Sequence, residues 1–242
     1  MNISVCLASY NGALFIEKQI QSVLNQLNQD DELILVDDCS TDNTLQIVTS
    51  INDSRIKIYP SNSNKGCIKA FEQAISLANN EIIFMCDQDD IWLEGRINLM
   101  KKRLIEQQVL LVSSNMNFID EAGNEVKSYT IDGVKEAQSK KFIQNIMDIF
   151  KGKTNYFGCA MAFKKELNNI ILPFPKYVES HDLWIAMVAN IIKSNYHCDD
   201  ITLSRRIHGN NLSVINRKLS EKLWSRVIFA ISFVHILIRK IK

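Results

Sequence analysis

Residues 32–51, ELILVDDCSTDNTLQIVTSI, hold the reading that decides the fold. Leu33 to Val36 form an apolar run of strand length, and Asp37-Asp38 close it. Ser40, Thr41 and Asp42 each suit the N-cap of a helix over 43–51. Strand, polar turn and helix thus fit within one short stretch, and the same unit repeats on both sides. Upstream, an apolar run over 3–8 stops at Tyr10-Asn11-Gly12. A segment over 13–27 follows, with Leu14, Ile20, Val23, Leu24 and Leu27 at helical spacing. Downstream come a strand over 55–59, a helix over 67–78 and a strand over 81–86, the last closed by Asp87-Gln88-Asp89-Asp90. Strands alternating with helices predict right-handed βαβ units and an α/β fold with a mostly parallel sheet flanked by helices. Strands this continuously apolar belong in a sheet covered on both faces.

Beyond Arg96 the pattern loosens. A helix over 97–107, a strand over 109–112, a turn about Gly123 and a strand over 156–163 are expected. Pro173-Phe174-Pro175 reads as loop and 182–192 as helix. Asn210-Asn211 breaks the chain before a basic-apolar helix at the C-terminal end.

Composition narrows the function. At 46% hydrophobic and 23% charged residues, the 242-residue chain has the material for a substantial core, and a net charge of +1 argues against a general nucleic-acid binder. The charge is uneven. From Arg217 onward seven basic residues face one acid, Glu221, a local +6 that leaves −5 on the remainder. The six cysteines form no C-x-x-C pair, and MNISVCLASYNG lacks the features of a signal peptide, so a reduced, cytoplasmic setting is expected. The longest apolar run, 227–238, is 12 residues and is interrupted by Ser232 and His235, which is short for a membrane span.

The carboxyl ends of parallel strands share one sheet edge, and ligands bind outside it. Ser9-Tyr10-Asn11, Asp37-Asp38 and Asp87-Gln88-Asp89-Asp90 are therefore expected to line one crevice. So acidic a crevice repels a bare diphosphate unless a divalent cation compensates, and carboxylate oxygens suit Mg²⁺ or Mn²⁺. Gly12 stands alone, so there is no G-x-G-x-x-G fingerprint, and no G-x-x-x-x-G-K-[ST] loop exists either. His197-Cys198-Asp199-Asp200 lacks a second ligand pair for zinc. Lys65 and Lys69 read as a solvated helix face, and Trp92 as packing for its loop.

SVCLASYNG at 4–12, LILVDDCSTDNT at 33–44, NKGCIKAFEQAI at 64–75 and IIFMCDQDDIW at 82–92 resemble family 2 glycosyltransferases with the GT-A fold. SHDLWIAMVA at 180–189 and RRIHGNNLS at 205–213 extend the resemblance, and DQDDIW resembles bacterial members that transfer rhamnose or related sugars. The resemblance implies that Ser9, Tyr10, Asn11 and Asp38 hold the nucleoside, with Asp87 and Gln88 contributing to nucleotide-sugar binding. It implies that Asp89 binds Mn²⁺ or Mg²⁺, that His208 reaches the metal or diphosphate, and that Asp182 is the catalytic base with His181 as its orienting neighbour. Asp182 also reads as the N-cap of a helix beginning at Leu183, and Leu183 stands where the subgroup usually has an aromatic residue. The implied organisation is a domain over 1–213, with a nucleotide-sugar half at 1–115 and an acceptor half at 116–213, followed by a helix in 214–242.

The implied activity is inverting, metal-dependent transfer of a sugar, with rhamnose a candidate, to a saccharide or lipid-linked acceptor of a bacterial surface polysaccharide. A sugar-1-phosphate nucleotidyltransferase is a rival, but ASYNGALF at 8–15 has one glycine and no arginine where a Gly- and Arg-rich loop belongs. An inactive nucleotide-sugar-binding module is another, but no metal or base carboxylate is missing. Residues 219–238 join an apolar face to basic ends, which suits the inner face of the cytoplasmic membrane, while packing on the domain or on a second subunit remains an alternative.

Overall fold

The computed structural model describes residues 1–128, 132–153, 156–208 and 219–241, with side chains of the last segment described from 223 to 240. Strand β1 (Ile3–Ser9) leads through helix α1 (Ile16–Leu24) to β2 (Glu32–Asp37), and α2 (Thr44–Ser50) leads to β3 (Ile56–Pro60). Helix α3 (Cys67–Leu77) then carries the chain back across the sheet to β4 (Ile82–Cys86), on the far side of β1. These four strands are parallel, in the spatial order β3-β2-β1-β4. The order reverses between β1 and β4, so the crevice outside their carboxyl ends is the topological switch point of the sheet.

The second half continues the sheet. β5 (Ile91–Trp92) and α4 (Arg96–Glu106) precede β6 (Leu111–Ile119), α5 (Phe142–Lys151) and β7 (Met161–Lys164). α6 (Asn168–Ile171), α7 (His181–Ile191), β8 (Asn195–Arg206) and α8 (Leu219–Ile241) complete the chain. The full order is β3-β2-β1-β4-β7-β6-β8-β5, with β7 antiparallel to β4 and β6, and β8 parallel to β6.

Period-two alternation sorts the strand side chains into two cores. Cys6, Ile34, Val36, Ile83 and Met85 face α3 and α7, whereas Val5, Leu7, Leu33, Leu35 and Phe84 face α1, α2 and α4. β2 and β4 are buried along their whole length, and each fully buried aliphatic side chain contributes about 1.5–3 kcal/mol. Arg96 is the polar bolt of the second core. It is 1% exposed, donates 2.6 Å to the Cys159 carbonyl and also to Thr202, and lies 4.7 Å over the Trp92 ring. Trp92 itself is buried, as its loop-packing reading requires.

Several boundaries differ from the sequence reading. α1 starts at Ile16 because residues 13–15 form a turn in which the Phe15 and Ile16 amides both donate 3.0 Å to the Gly12 carbonyl. Only Met161–Lys164 of 156–163 is strand, because a 3₁₀ turn over Gly158–Ala160 precedes it. The strand expected over 109–112 runs instead over Leu111–Ile119, and β8 and α5 had no sequence signal. β8 carries exposed Asp199, Asp200 and Ile201 opposite a register irregularity in β6, so alternation fails midway. The break at Asn210-Asn211 lies outside the described residues.

Candidate active site

The loops after β1, β2 and β4 are stitched into one surface at the switch point. The Gln88 carboxamide clamps the backbone of Tyr10: its Oε1 accepts from the Tyr10 amide at 2.9 Å and its Nε2 donates to the Tyr10 carbonyl at 3.1 Å. Gly12 is required for this approach, since a Cβ there would stand 2.3 Å from Gln88 Oε1. Asn11 takes a left-handed φ of 49°, accepts from the Thr41 amide at 2.8 Å, and donates its own amide to Ser40 Oγ at 2.9 Å. Buried Asp37 accepts from the hydroxyls of Ser9 at 2.9 Å and Ser40 at 2.6 Å. Asp38 accepts from the Lys65 and Gly66 amides at 2.8 and 2.7 Å, fixing the entry to α3. Ser9, Asn11, Asp38 and Gln88 therefore shape the loops, while the Tyr10 ring, 45% exposed, stays free to meet a flat ligand.

The acidic wall has two parts. In the first, Asp89 Oδ2 lies 2.8 Å from His208 Nε2, with both side chains at most 16% exposed. In the second, ligand atoms of Asp87, Asp90 and Cys159 lie within 4.8 Å of one another. Burial and then the neighbouring Asp89 charge push the Asp87 carboxyl up to about 6, and burial raises Asp90 well above the ordinary range. Asp90 Oδ1 accepts from the Arg206 amide at 3.1 Å, whereas its Oδ2 is buried with no nitrogen or oxygen hydrogen-bond partner among the described residues. Arg205, packed 4.7 Å over the Phe157 ring, pulls both carboxyls back toward ionisation. Arg206 is a latch: it donates 2.9 Å to the Asp89 carbonyl and 2.7 and 2.9 Å to the carbonyls of Asp120 and Glu121.

Across the crevice, α7 is capped by Ser180, whose hydroxyl accepts from the Leu183 amide at 3.3 Å. The helix thus starts at His181, one turn-position earlier than expected, and Asp182 lies in its first turn rather than at the cap. Asp182 Oδ1 accepts from the Leu183 amide at 2.9 Å and from the Ser180 hydroxyl. His181 is sandwiched between Phe71, at 4.5 Å between ring centres, and Phe174, at 6.4 Å. Burial lowers its pKa, and its Nε2 has no hydrogen-bond partner among the described residues. Gly158 is needed against it, because a Cβ there would meet His181 Nε2 at 2.8 Å.

The structure brings these segments together. The charges of Asp87, Asp182 and Asp38, from three separate motifs, all reach the Cys67 thiol at the start of α3, whose pKa is raised by its burial and then by these neighbours. The sequence reading placed Asp90 at the crevice without a role of its own and missed Cys67, Cys159 and Arg205. Arg205-Arg206 stand just before Ile207-His208 in their motif, which was the available signal for that pair. His197 lies in a buried network with Tyr156, at 2.7 Å, and Asn195, at 3.0 Å. Lys69 pairs with Glu72 at 2.9 Å on a partly exposed helix face. Residues 209–213 of the last motif lie outside the described residues.

A hard divalent cation fits this wall. Asp89 offers a carboxylate oxygen and His208 an imidazole nitrogen, both acceptable to Mn²⁺ and the first preferred by Mg²⁺. The Asp87, Asp90 and Cys159 group has the compensating charge of Arg205 beside it already.

Residues 4–171 match the family model described as glycosyl transferase family 2. The chain is 26% identical over 92% of its length to an Escherichia coli protein named UDP-Glc:alpha-D-GlcNAc-diphosphoundecaprenol beta-1,3-glucosyltransferase WfgD, covering 83% of that protein. It is 31% identical over 85% of its length to the Shigella flexneri dTDP-rhamnosyl transferase RfbG, covering 72% of it. The fold is similar to that of S. aureus TarS residues 1–349 solved with UDP-GlcNAc, with a TM-score of 0.72 at 19% identity over 98% of this chain and 69% of that one. The chain therefore belongs to glycosyltransferase family 2 and has the GT-A fold.

Proposed function

We propose that this glycosyltransferase moves a sugar from a nucleoside diphosphate donor to a hydroxyl group of a saccharide or lipid-linked acceptor, with inversion at the anomeric carbon. The observation that carries this reading is the meeting of the two halves at Gly158-Cys159, where Cys159 lies with the Asp87 and Asp90 carboxyls within 4.8 Å and a Cβ at Gly158 would stand 3.7 Å from the Asp182 Cβ. The Tyr10 ring stacks the base, and the Asp38 side of the crevice with Asp87 receives the ribose. Ser9, Asn11 and Gln88 hold that surface in shape through their loop hydrogen bonds. Asp89 and His208 would hold Mn²⁺ or Mg²⁺, which when bound supplies positive charge opposite the departing diphosphate.

Asp182 accepts the proton of the acceptor hydroxyl as its oxygen attacks the anomeric carbon. The bond from that carbon to the diphosphate oxygen breaks on the opposite face, and the nucleoside diphosphate leaves. No second carboxylate nucleophile is needed for a single displacement of this kind. Residues 1–115 serve the donor, 116–213 the acceptor, and 214–242 add the terminal helix.

The Escherichia coli relative's name, which prints a diphosphoundecaprenol-linked sugar as acceptor, supports a lipid-linked acceptor here, and the reading places the reaction at a bacterial surface polysaccharide intermediate on the cytoplasmic side. They also leave two donor chemistries, dTDP-rhamnose and a UDP-hexose, for experiment to separate. A thermal-shift screen of nucleotide sugars with Mn²⁺ or Mg²⁺, followed by product detection with the best donor, tests the reading. Transfer of the sugar to acceptor with release of nucleoside diphosphate is expected. Binding without turnover would instead make the chain a nucleotide-sugar-binding module, and release of pyrophosphate from a nucleoside triphosphate would make it a nucleotidyltransferase.

A further inference from the structure

We propose that the outward face of α8 is a docking surface for an anionic lipid bilayer, on which the helix lies flat. The inner face of α8 is already occupied by the domain. Ser232 and Ile236 are buried, His235 Nδ1 lies 2.7 Å from the Tyr177 hydroxyl, and Arg239 donates 2.7 Å to the carbonyls of Ile170 and Pro173. Phe229 meets Phe150 of α5 with ring centres 5.2 Å apart. The sequence alternative of packing on the domain thus accounts for this side of the helix only.

The opposite side presents Leu223, Trp224, Val227, Ile231, Val234 and Ile238, each at least 45% exposed. At about 100° per residue these positions fill an arc of about 100°, and no charged residue of α8 falls within it. On α5, Ile143 and Met147, 80% and 41% exposed, share the helical stripe that ends in Phe150, and Arg226 of α8 lies 5.3 Å over the Phe150 ring. A row of six large apolar side chains exposed along one helix face marks an interaction site.

Charge decides between a bilayer and a second copy. The segment from Arg217 onward carries +6 on a chain otherwise at −5. Pairing two such helices would bring like charges together, whereas anionic headgroups attract them. Arg226 and Lys240 fall by helical position on one flank of the arc, and Trp224 has the amphipathic ring favoured at the headgroup boundary. No helix among the described residues is long and apolar enough to cross a membrane, so the geometry is that of a helix lying in the interface.

The contact also has a catalytic consequence, which rests on the transfer reading although the docking does not. His235 packs on Trp184, 5.9 Å between ring centres, within one turn of Asp182 on α7. Docking through α8 would hold the acceptor side of the crevice close to the surface that carries a lipid-linked acceptor.

The test is flotation of the full chain with vesicles of phosphatidylcholine alone or containing phosphatidylglycerol, at low and high salt, with tryptophan emission as a second readout. Trp92 and Trp184 are buried at 3% and 2% exposure, so a blue shift on vesicle binding reports Trp224 and should vanish in Trp224→Phe. The proposal expects binding to the phosphatidylglycerol vesicles that weakens with salt. The double variant Ile231→Glu, Val234→Glu should bind at least tenfold more weakly while melting and binding nucleotide as the wild type does. Absence of binding at low salt, equal binding to both vesicle types, or unchanged binding by the double variant would overturn it. So would a vesicle-free dimer that the double variant dissociates, which would make this face an interface between copies. Vesicle binding by a chain that transfers no sugar would leave the docking intact and remove the functional reading, while transfer without vesicle binding would do the reverse.

Discussion

Gln88 holds the loop after β1, the proposed nucleotide side of the crevice, through a two-point clamp on the Tyr10 backbone. Gln88→Ala removes both bonds, each worth about 0.5–1.5 kcal/mol, and leaves the Tyr10 ring poorly placed. Steady-state kinetics should show the donor KM rising by about tenfold with a smaller change in kcat. Asp89→Asn takes away the charge of a hard oxygen ligand. It should abolish transfer and the metal-dependent part of donor binding, and full activity of that variant or of the wild type in EDTA would contradict the assignment. The chain positions of Ser9, Asn11, Asp38 and Gln88 were legible because strand ends mark them. That their polar atoms serve neighbouring loops was not, since it depends on which loops lie side by side. Arg205 was missed for the same reason: its charge acts on Asp87 and Asp90, more than a hundred residues away in the chain.

Glu32 shows how the parallel units are tied at the end of the sheet opposite the crevice. Its carboxylate accepts from Ser4 Oγ at 2.5 Å, the Asn79 amide at 2.7 Å and Lys57 Nζ at 2.6 Å, joining β1, β2, β3 and the turn before β4. Burial alone would raise its pKa, but these hydrogen bonds outweigh it and hold the group at about 2. A depressed folded-state pKa contributes stability that is complete above the unfolded value and lost as pH falls toward 2. Glu32→Gln should therefore cost about 1–2 kcal/mol at pH 7, discounted for the partly exposed Lys57, and urea midpoints of the two proteins should converge between pH 5 and 3. At the start of α7, Ser180→Ala should cost about 1 kcal/mol of stability, read as a lower melting temperature. The units from β1 to β4 were legible because each strand is a short apolar run and each turn is polar. β8 was not, because Asp199 and Asp200 interrupt its alternation, and α5 was not, because Ile143 and Met147 stay exposed on a helix whose partner is far away in sequence.

At the scale of the molecule, one sheet presents the loops after β1, β2 and β4 from its first half and the Asp182 carboxylate on α7 from its second, and the proposed reaction needs both. The family and fold follow from the order of the motifs, whereas the facing of the two halves needs the antiparallel β7 that the loose second-half pattern only partly predicted. Under the docking proposal, the split of charge between the terminal segment and the rest would give the molecule a second, membrane-facing side. The central claim is that the two halves cooperate in one displacement with Asp182 as base. Asp182→Asn preserves side-chain size and leaves the Ser180 cap in place, so the variant should fold and bind donor nucleotide with nearly unchanged affinity. Turnover at saturating donor and acceptor, measured beside nucleotide affinity on the same preparation, should fall by about 10²–10⁴-fold. A near-normal rate, or a large loss of donor binding with turnover at saturation unchanged, would contradict the account.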